Sequence, residues 1–171
     1  MWQRGERETA GLRFPGLYVG EVVKIEDHGR VQVSVPAIFD QITPESLAWA
    51  RPCFPYGHFF VPEVGDKVWV AFEHGDPAAP VWLGVWYPAG RVPAEADVSP
   101  PVKRVIRSAK GHVVIMDDTG GSEKLILQDK AGNRIELRGD GVLIKCAQNL
   151  TIDASGKDIV IKASSVDIQQ A

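Results

Sequence analysis

The side chains best able to do chemistry are scattered in this chain. His28, His58, His74 and His112 could ligate a metal or move a proton, but no two stand two to four residues apart. No strand or helical turn therefore brings a local pair to one ion. All four fall in or beside turns, where a structural or solvated imidazole is expected. Asp117-Asp118, ahead of Thr119-Gly120-Gly121, could hold a cation or serve as an acid. An Asp/Gly turn is the simpler account, because Asp carboxylates bond local backbone amides. Ser155 and Ser164-Ser165 sit in no Gly-x-Ser-x-Gly elbow. Gly120-Gly121 and Gly139-Asp140-Gly141 precede no helix that could receive a phosphate. Cys53 and Cys146 show no metal or redox spacing and are expected as small buried thiols in a reducing compartment. The expectation is therefore no catalytic residue, no metal ligand and no cofactor.

The elements around these residues point to mechanics. From Gly132 onward, short apolar pairs alternate with polar or glycine turns: Ile135 and Leu137, Val142 and Ile144, Leu150 and Ile152, Ile159 and Ile161, Val166 and Ile168. The first members of successive pairs are 7, 8, 9 and 7 residues apart. Each i, i+2 pair points to one face of a strand. The intervening Arg134, Glu136, Arg138, Lys145, Thr151, Asp153, Lys162 and Asp167 make the other face wet. Cys146 continues the inward parity of Val142 and Ile144. No helix covers the dry face, so it must find cover within the rod or in other copies. That implies a β-helical or prism-like rod.

Upstream, five strands are expected in about 70 residues: Tyr18–Ile25, Arg30–Val35, Leu47–Cys53, Lys67–Glu73 and Val81–Tyr87. Gly/Pro/Asp turns separate them, and one helical turn is expected near Pro44-Glu45-Ser46. This reads as a small closed barrel of OB type. The expected organisation is a polar extension over 1–15, a barrel over 16–88, an extended Pro-rich linker over 89–101 and a rod over 102–171. The fold class is all-β.

Composition excludes several functions. The 171 residues are 44% hydrophobic and 24% charged, with net charge −3. Nothing drives the chain toward nucleic acid. The outward positions expected on the second strand, Arg30, Gln32 and Ser34, offer no ring for a base to stack on. No 18-residue apolar run exists, and the charged start is not read as a secretory signal. On the barrel, if Val68, Val70, Phe72, Val81, Leu83 and Val85 face inward, then Trp69, Trp82 and Trp86 form an outward patch suited to a subunit contact. The reversed assignment would make the tryptophans core.

One segment carries a resemblance. Val64-Gly65-Asp66-Lys67-Val68-Trp69-Val70-Ala71-Phe72-Glu73-His74-Gly75-Asp76-Pro77, followed by Pro80-Val81-Trp82-Leu83-Gly84, resembles the signature of phage baseplate assembly protein V and the spikes of contractile injection and type VI secretion systems. Gly111-His112, Asp117-Asp118-Thr119 and Gly132-Asn133-Arg134-Ile135 resemble the start of the spike β-helix. The resemblance implies an OB-fold barrel followed by an intertwined trimeric β-helix, acting as a membrane-piercing spike without enzymatic activity.

It also implies a homotrimer whose rod core is Ile135, Leu137, Val142, Ile144, Cys146, Leu150, Ile152, Ile159, Ile161, Val166 and Ile168. A baseplate hub protein would bind the barrel. A PAAR-type tip protein would dock on Ile168, Gln169, Gln170 and Ala171, since no histidine follows His112 to build a metal apex. The target envelope would be touched transiently. The particle would be assembled in the producer cytoplasm as part of a virion or phage-tail-like device. Two rivals remain at this point: an OB module for nucleic acid or glycan with a β-rich tail, and a β-helical polysaccharide-cleaving enzyme.

Overall fold

The computed structural model describes residues 12–39 and 47–170. The expected helical turn at Pro44–Ser46, most of the N-terminal extension and Ala171 lie outside the described residues. The chain divides into two compact units, with the boundary between Asp97 and Val98.

The first unit is a closed barrel of β1 (Tyr18–Ile25), β2 (Val31–Ser34), β3 (Trp49–Pro52), β4 (Lys67–Phe72) and β5 (Pro80–Val85), in the order β1-β2-β3-β5-β4. β1 closes the ring on β4, and β3 runs parallel to β5. β-Branched residues at inward positions build the core: Val22, Val31, Val33, Val68 and Val70 are buried, with Val35, Ala50, Phe72 and Trp82. Branching at Cβ suits these residues to a pleated surface. Phe72 closes one region of the core against the rings of Phe14, Tyr18 and Phe39, at 6.2, 5.7 and 6.1 Å.

Several expectations change here. Of the extension, residues 12–15 are described, and Phe14 packs on the core while its N–H donates to the Gly75 carbonyl at 2.9 Å. Gly75 has φ +76°, and a Cβ there would stand 2.9 Å from the Phe14 nitrogen. Glycine is thus required both by conformation and by close approach. Gln32, between the core residues Val31 and Val33, is buried, and its amide Nε2 donates to the Leu47 carbonyl at 2.8 Å. Cys53 is exposed, not buried. Ala50 points inward, so the alternating parity of the strand carries Arg51 and Cys53 outward. Residues 88–97 fold into two turns instead of an extended linker, with Arg91 N–H donating to Pro88 and Ala96 N–H to Pro93.

The second unit is an antiparallel meander: β6 (Lys103–Arg107), β7 (Val113–Asp117), β8 (Lys124–Gln128), β9 (Arg134–Arg138) and β10 (Gly141–Lys145). Aspartates fix its turns. Asp117 accepts from the Thr119 hydroxyl at 2.6 Å and amide at 3.1 Å. Asp129 accepts from the Asn133 amide at 2.9 Å and side chain at 2.7 Å. Asp153 accepts from the Ser155 amide at 2.7 Å. Beyond Lys145 no described residue lies in a strand. The expected strands at Leu150–Ile152, Ile159–Ile161 and Val166–Ile168 find no ladder within one chain. The physical reason is local: no neighbouring segment of the same chain pairs with them.

Candidate functional site

The most unusual surface is one face of the second sheet. Cross-strand register places Ile106 opposite Val114, Met116 opposite Leu125, and Val114 opposite Leu127. Leu125 then faces Leu137 and Leu127 faces Ile135, while Leu137 and Ile135 face Val142 and Ile144. Nine apolar side chains therefore share one face of five strands, and only Arg104 at the first strand breaks it. Eight of the nine are exposed, from 38% at Ile135 to 67% at Val142. A monomeric soluble protein rarely leaves so continuous an apolar surface in water.

The sequence pattern singled out Ile135, Leu137, Val142 and Ile144 of this face. It missed Ile106, Val114, Met116, Leu125 and Leu127. The same i, i+2 alternation was present in β7 and β8, and it could have found them. Cys146 is half-buried just past β10. Leu150, Ile152, Ile159, Ile161, Val166 and Ile168 are all exposed, Ile168 at 91%. Gln169 and Gln170 are exposed beside it.

The opposite face buries Val113 and Ile115, with charged groups paired around them. Glu136, expected on the wet side, is buried. Arg134 Nε and Arg138 Nε stand 2.9 and 2.8 Å from its two carboxylate oxygens and cover it. Two cations around one carboxylate meet the requirement that a buried charge be paired. Asp117 is buried beside Lys103, 3.5 Å away. Hydrogen bonding from Thr119, aided by Lys103, holds its carboxyl below the usual range. Asp129 is held low by Asn133 in the same way. Asp118 pairs with Arg104 at 2.5 Å. The Asp117-Asp118 pair is thus committed to turn and ion-pair geometry. Among the described residues, no group of three or more His, Cys, Asp or Glu side chains could hold a metal ion. His28 and His74 occupy left-handed turn positions, φ 64° and 51°.

On the barrel, the outward tryptophan patch needs correction. Trp82 is a core residue, 1% exposed, and its Nε1–H donates to the Gly29 carbonyl at 3.0 Å. Strict alternation from Val81 fails because the β4–β5 ladder carries a bulge. Val70 faces Trp82 and Trp69 faces Gly84, so Leu83 is an extra residue and parity flips there. Leu83 is exposed as a result. Trp69 and Trp86 do meet outside the barrel, ring centroids 6.4 Å apart, with Trp86 exposed.

A closed small barrel, followed by a sheet whose bare face needs other copies, defines a two-part assembly protein. Comparison with known proteins gives the family. Residues 18–87 match the type VI secretion system/phage-baseplate injector OB domain, and residues 103–171 match the phage baseplate V C-terminal trimerisation domain. The chain belongs to the phage baseplate V and central spike family.

Its relatives agree. The chain is 28% identical over 146 residues to the type VI secretion system spike protein VgrG3 of Vibrio cholerae, covering 78% of the chain and 14% of that protein. It is 29% identical over 138 residues to spike protein VgrG1c of Pseudomonas aeruginosa, covering 71% and 19%. It is 25% identical over 162 residues to the actin cross-linking toxin VgrG1 of Vibrio cholerae, covering 88% and 15%. The chain thus spans less than a fifth of the length of these relatives.

Proposed function

We propose that this chain is the structural central spike of a contractile phage tail or phage-tail-like injection particle, working as a homotrimer. The observation that carries the reading is the nine-residue apolar face of the second sheet, in the segment matched as a trimerisation domain. Covering the exposed part of eight such side chains is worth on the order of 10 kcal/mol per chain. Three copies around an axis let each chain supply the others' cover. Ile135, Leu137, Val142 and Ile144 then line the interior, joined by Ile106, Val114, Met116, Leu125 and Leu127. Further along, Cys146, Leu150, Ile152, Ile159, Ile161, Val166 and Ile168 continue it, with ladders formed between chains rather than within one.

Such a prism has every backbone group paired and no free strand edge along its length, which makes it stiff. The mechanism is force transmission, with no bond made or broken in the target. A hub protein is proposed at the barrel end, by resemblance to the family. A PAAR-type tip protein is proposed at the Ile168, Gln169 and Gln170 end, where an exposed apolar residue and unpaired backbone would accept added strands. Assembly in the producer cytoplasm completes the proposal. A net charge of −3 and the match to injector and trimerisation domains do not favour the OB nucleic-acid reading.

Light scattering after size exclusion tests the reading. The expected mass is three times 18.7 kDa. A monodisperse species of 18.7 kDa at micromolar concentration would overturn it.

A further inference from the structure

Where the chain leaves its own sheet, one amide side chain bridges the β8–β9 turn and the segment after β10. The last rung between β9 and β10 pairs Arg134 with Lys145. Asn133 stands one residue before that rung, and Ala147 two residues past it. The Asn133 Nδ2–H donates to Asp129 Oδ2 at 2.7 Å, and its Oδ1 accepts from the Ala147 N–H at 2.7 Å. Its backbone N–H donates to Asp129 Oδ1 at 2.9 Å, and its carbonyl accepts from the Asp129 N–H at 3.0 Å. Both ends of the Asn133 side chain and both of its backbone groups are thus committed.

The side chains of Thr119 and Ser155, by contrast, bond back to an aspartate two residues away. Asn133 also reaches out of its turn, to a residue 14 places on. The bridge has a polarity. Hydrogen bonding from Asn133 holds the Asp129 carboxyl below its usual range, so near neutral pH it is ionised and only accepts. The Ala147 N–H only donates. The side chain between them must donate at one end and accept at the other, as an amide does. Ala147 is exposed in one chain, so the bond contributes direction rather than burial. It acts where direction matters. β10 ends at Lys145, and Leu150, Ile152, Ile159 and Ile161 follow with no ladder in their own chain.

We propose that Asn133 is a positioning residue for assembly, clasping the chain where it passes from its own sheet to ladders with other copies. This rests on the trimeric reading above. A strand pair can slip in register, and a one-residue slip turns every following side chain to the other face. By holding the Ala147 N–H on a side chain anchored to Asp129, Asn133 fixes the point where the ladder within the chain ends. The segment from Ala147 onward then leaves from one register, with the parity of its apolar pairs set before a neighbour is met.

The test exchanges the two clasp partners in the full chain. Asn133→Asp sets carboxylate against carboxylate. Asp129→Asn sets N–H against N–H, or gives up the bond to the Asn133 backbone. Each single change is expected to leave the sheet's circular dichroism as in wild type. Each should speed amide exchange over residues 147–170 of the trimer roughly tenfold or more, the scale of losing a hydrogen bond to a charged group. The double variant, Asp129→Asn with Asn133→Asp, again sets a donor against an acceptor and still offers Ala147 an acceptor. It should return exchange to the wild-type rate, which two independent losses of fit would not do. Light scattering comes first. A monomeric wild type overturns this proposal together with the trimeric reading. A wild-type trimer whose single variants exchange like wild type, or whose double variant exchanges no more slowly than the singles, overturns this proposal alone. Where a single variant loses its sheet or its trimer, the double variant decides: recovery supports the clasp, and continued loss overturns it.

Discussion

Leu127→Asp tests the apolar face at its centre. Leu127 lies on β8, the middle strand of five, between Val114 and Ile135. In one chain it is 54% exposed, so a carboxylate there keeps much of its water. The cost to the single sheet is then about the spread of strand propensities, roughly 1 kcal/mol. In the trimer the change is far larger. Each chain forfeits about half of a leucine's burial, roughly 0.8–1.5 kcal/mol. Each also buries an unpaired carboxylate, at several kcal/mol after relaxation. Across three copies the loss is on the order of 10 kcal/mol, about seven decades in the association constant. Leu127→Ala forfeits only the burial and should cost about a third of that or less. The assay is light scattering over a dilution series, with circular dichroism as the control for strand content. The expected result is a β-rich monomer or an aggregate for Leu127→Asp and a weakened trimer for Leu127→Ala. A Leu127→Asp trimer with wild-type dilution behaviour would refute the inward placement of this face.

Other predictions follow from the same geometry. Gly75→Ala should lower the stability of the barrel by about 2 kcal/mol or more, since it adds a left-handed penalty to a backbone clash with Phe14, and urea unfolding would show it. Trp82→Phe should cost about 2–4 kcal/mol by the same measurement, through lost core volume and an unpaired Gly29 carbonyl, whereas Trp86→Phe should cost under 1 kcal/mol in a barrel followed at low concentration. Asp117 and Asp129 have carboxyls held below the ordinary value of about 3.9, so their stabilisation is full above that pH and fades as pH falls through their depressed values. Asp117→Asn should therefore flatten the acid limb of a melting-temperature profile below about pH 4, with little change in its shape at pH 6–8. An acid limb identical to wild type would show that the turn bonds contribute nothing.

Much of this fold is legible in the residues themselves. β8 begins and ends at Lys124 and Gln128, where the alternation of Leu125 and Leu127 starts and stops. β1 spans Tyr18–Ile25, between the turn glycine Gly16 and the Asp27-His28-Gly29 turn. The failures come from features with no period. Trp82 lies inside because Leu83 bulges from the ladder, and a bulge leaves no mark in a pattern of period two. Gln32 is buried, and a distant carbonyl, that of Leu47, satisfies it. Glu136 is buried because Arg134 and Arg138, two residues away on either side, fold over it, a pairing that alternation alone reads as three wet side chains. The exposure of Tyr56, Phe59 and Phe60 has no sequence signal, since an aromatic run in a connection looks like core until the structure shows which rings are left outside.

Hydrogen exchange over residues 147–170 of the assembled protein tests the central claim most directly. One chain alone gives these residues no strand, so their amides have no ladder to protect them. If three chains intertwine, ladders between chains form there, and amides around Leu150–Ile152, Ile159–Ile161 and Val166–Ile168 should exchange orders of magnitude more slowly than an open chain. Exchange at open-chain rates throughout this segment, in a sample whose mass is that of a trimer, would contradict the account.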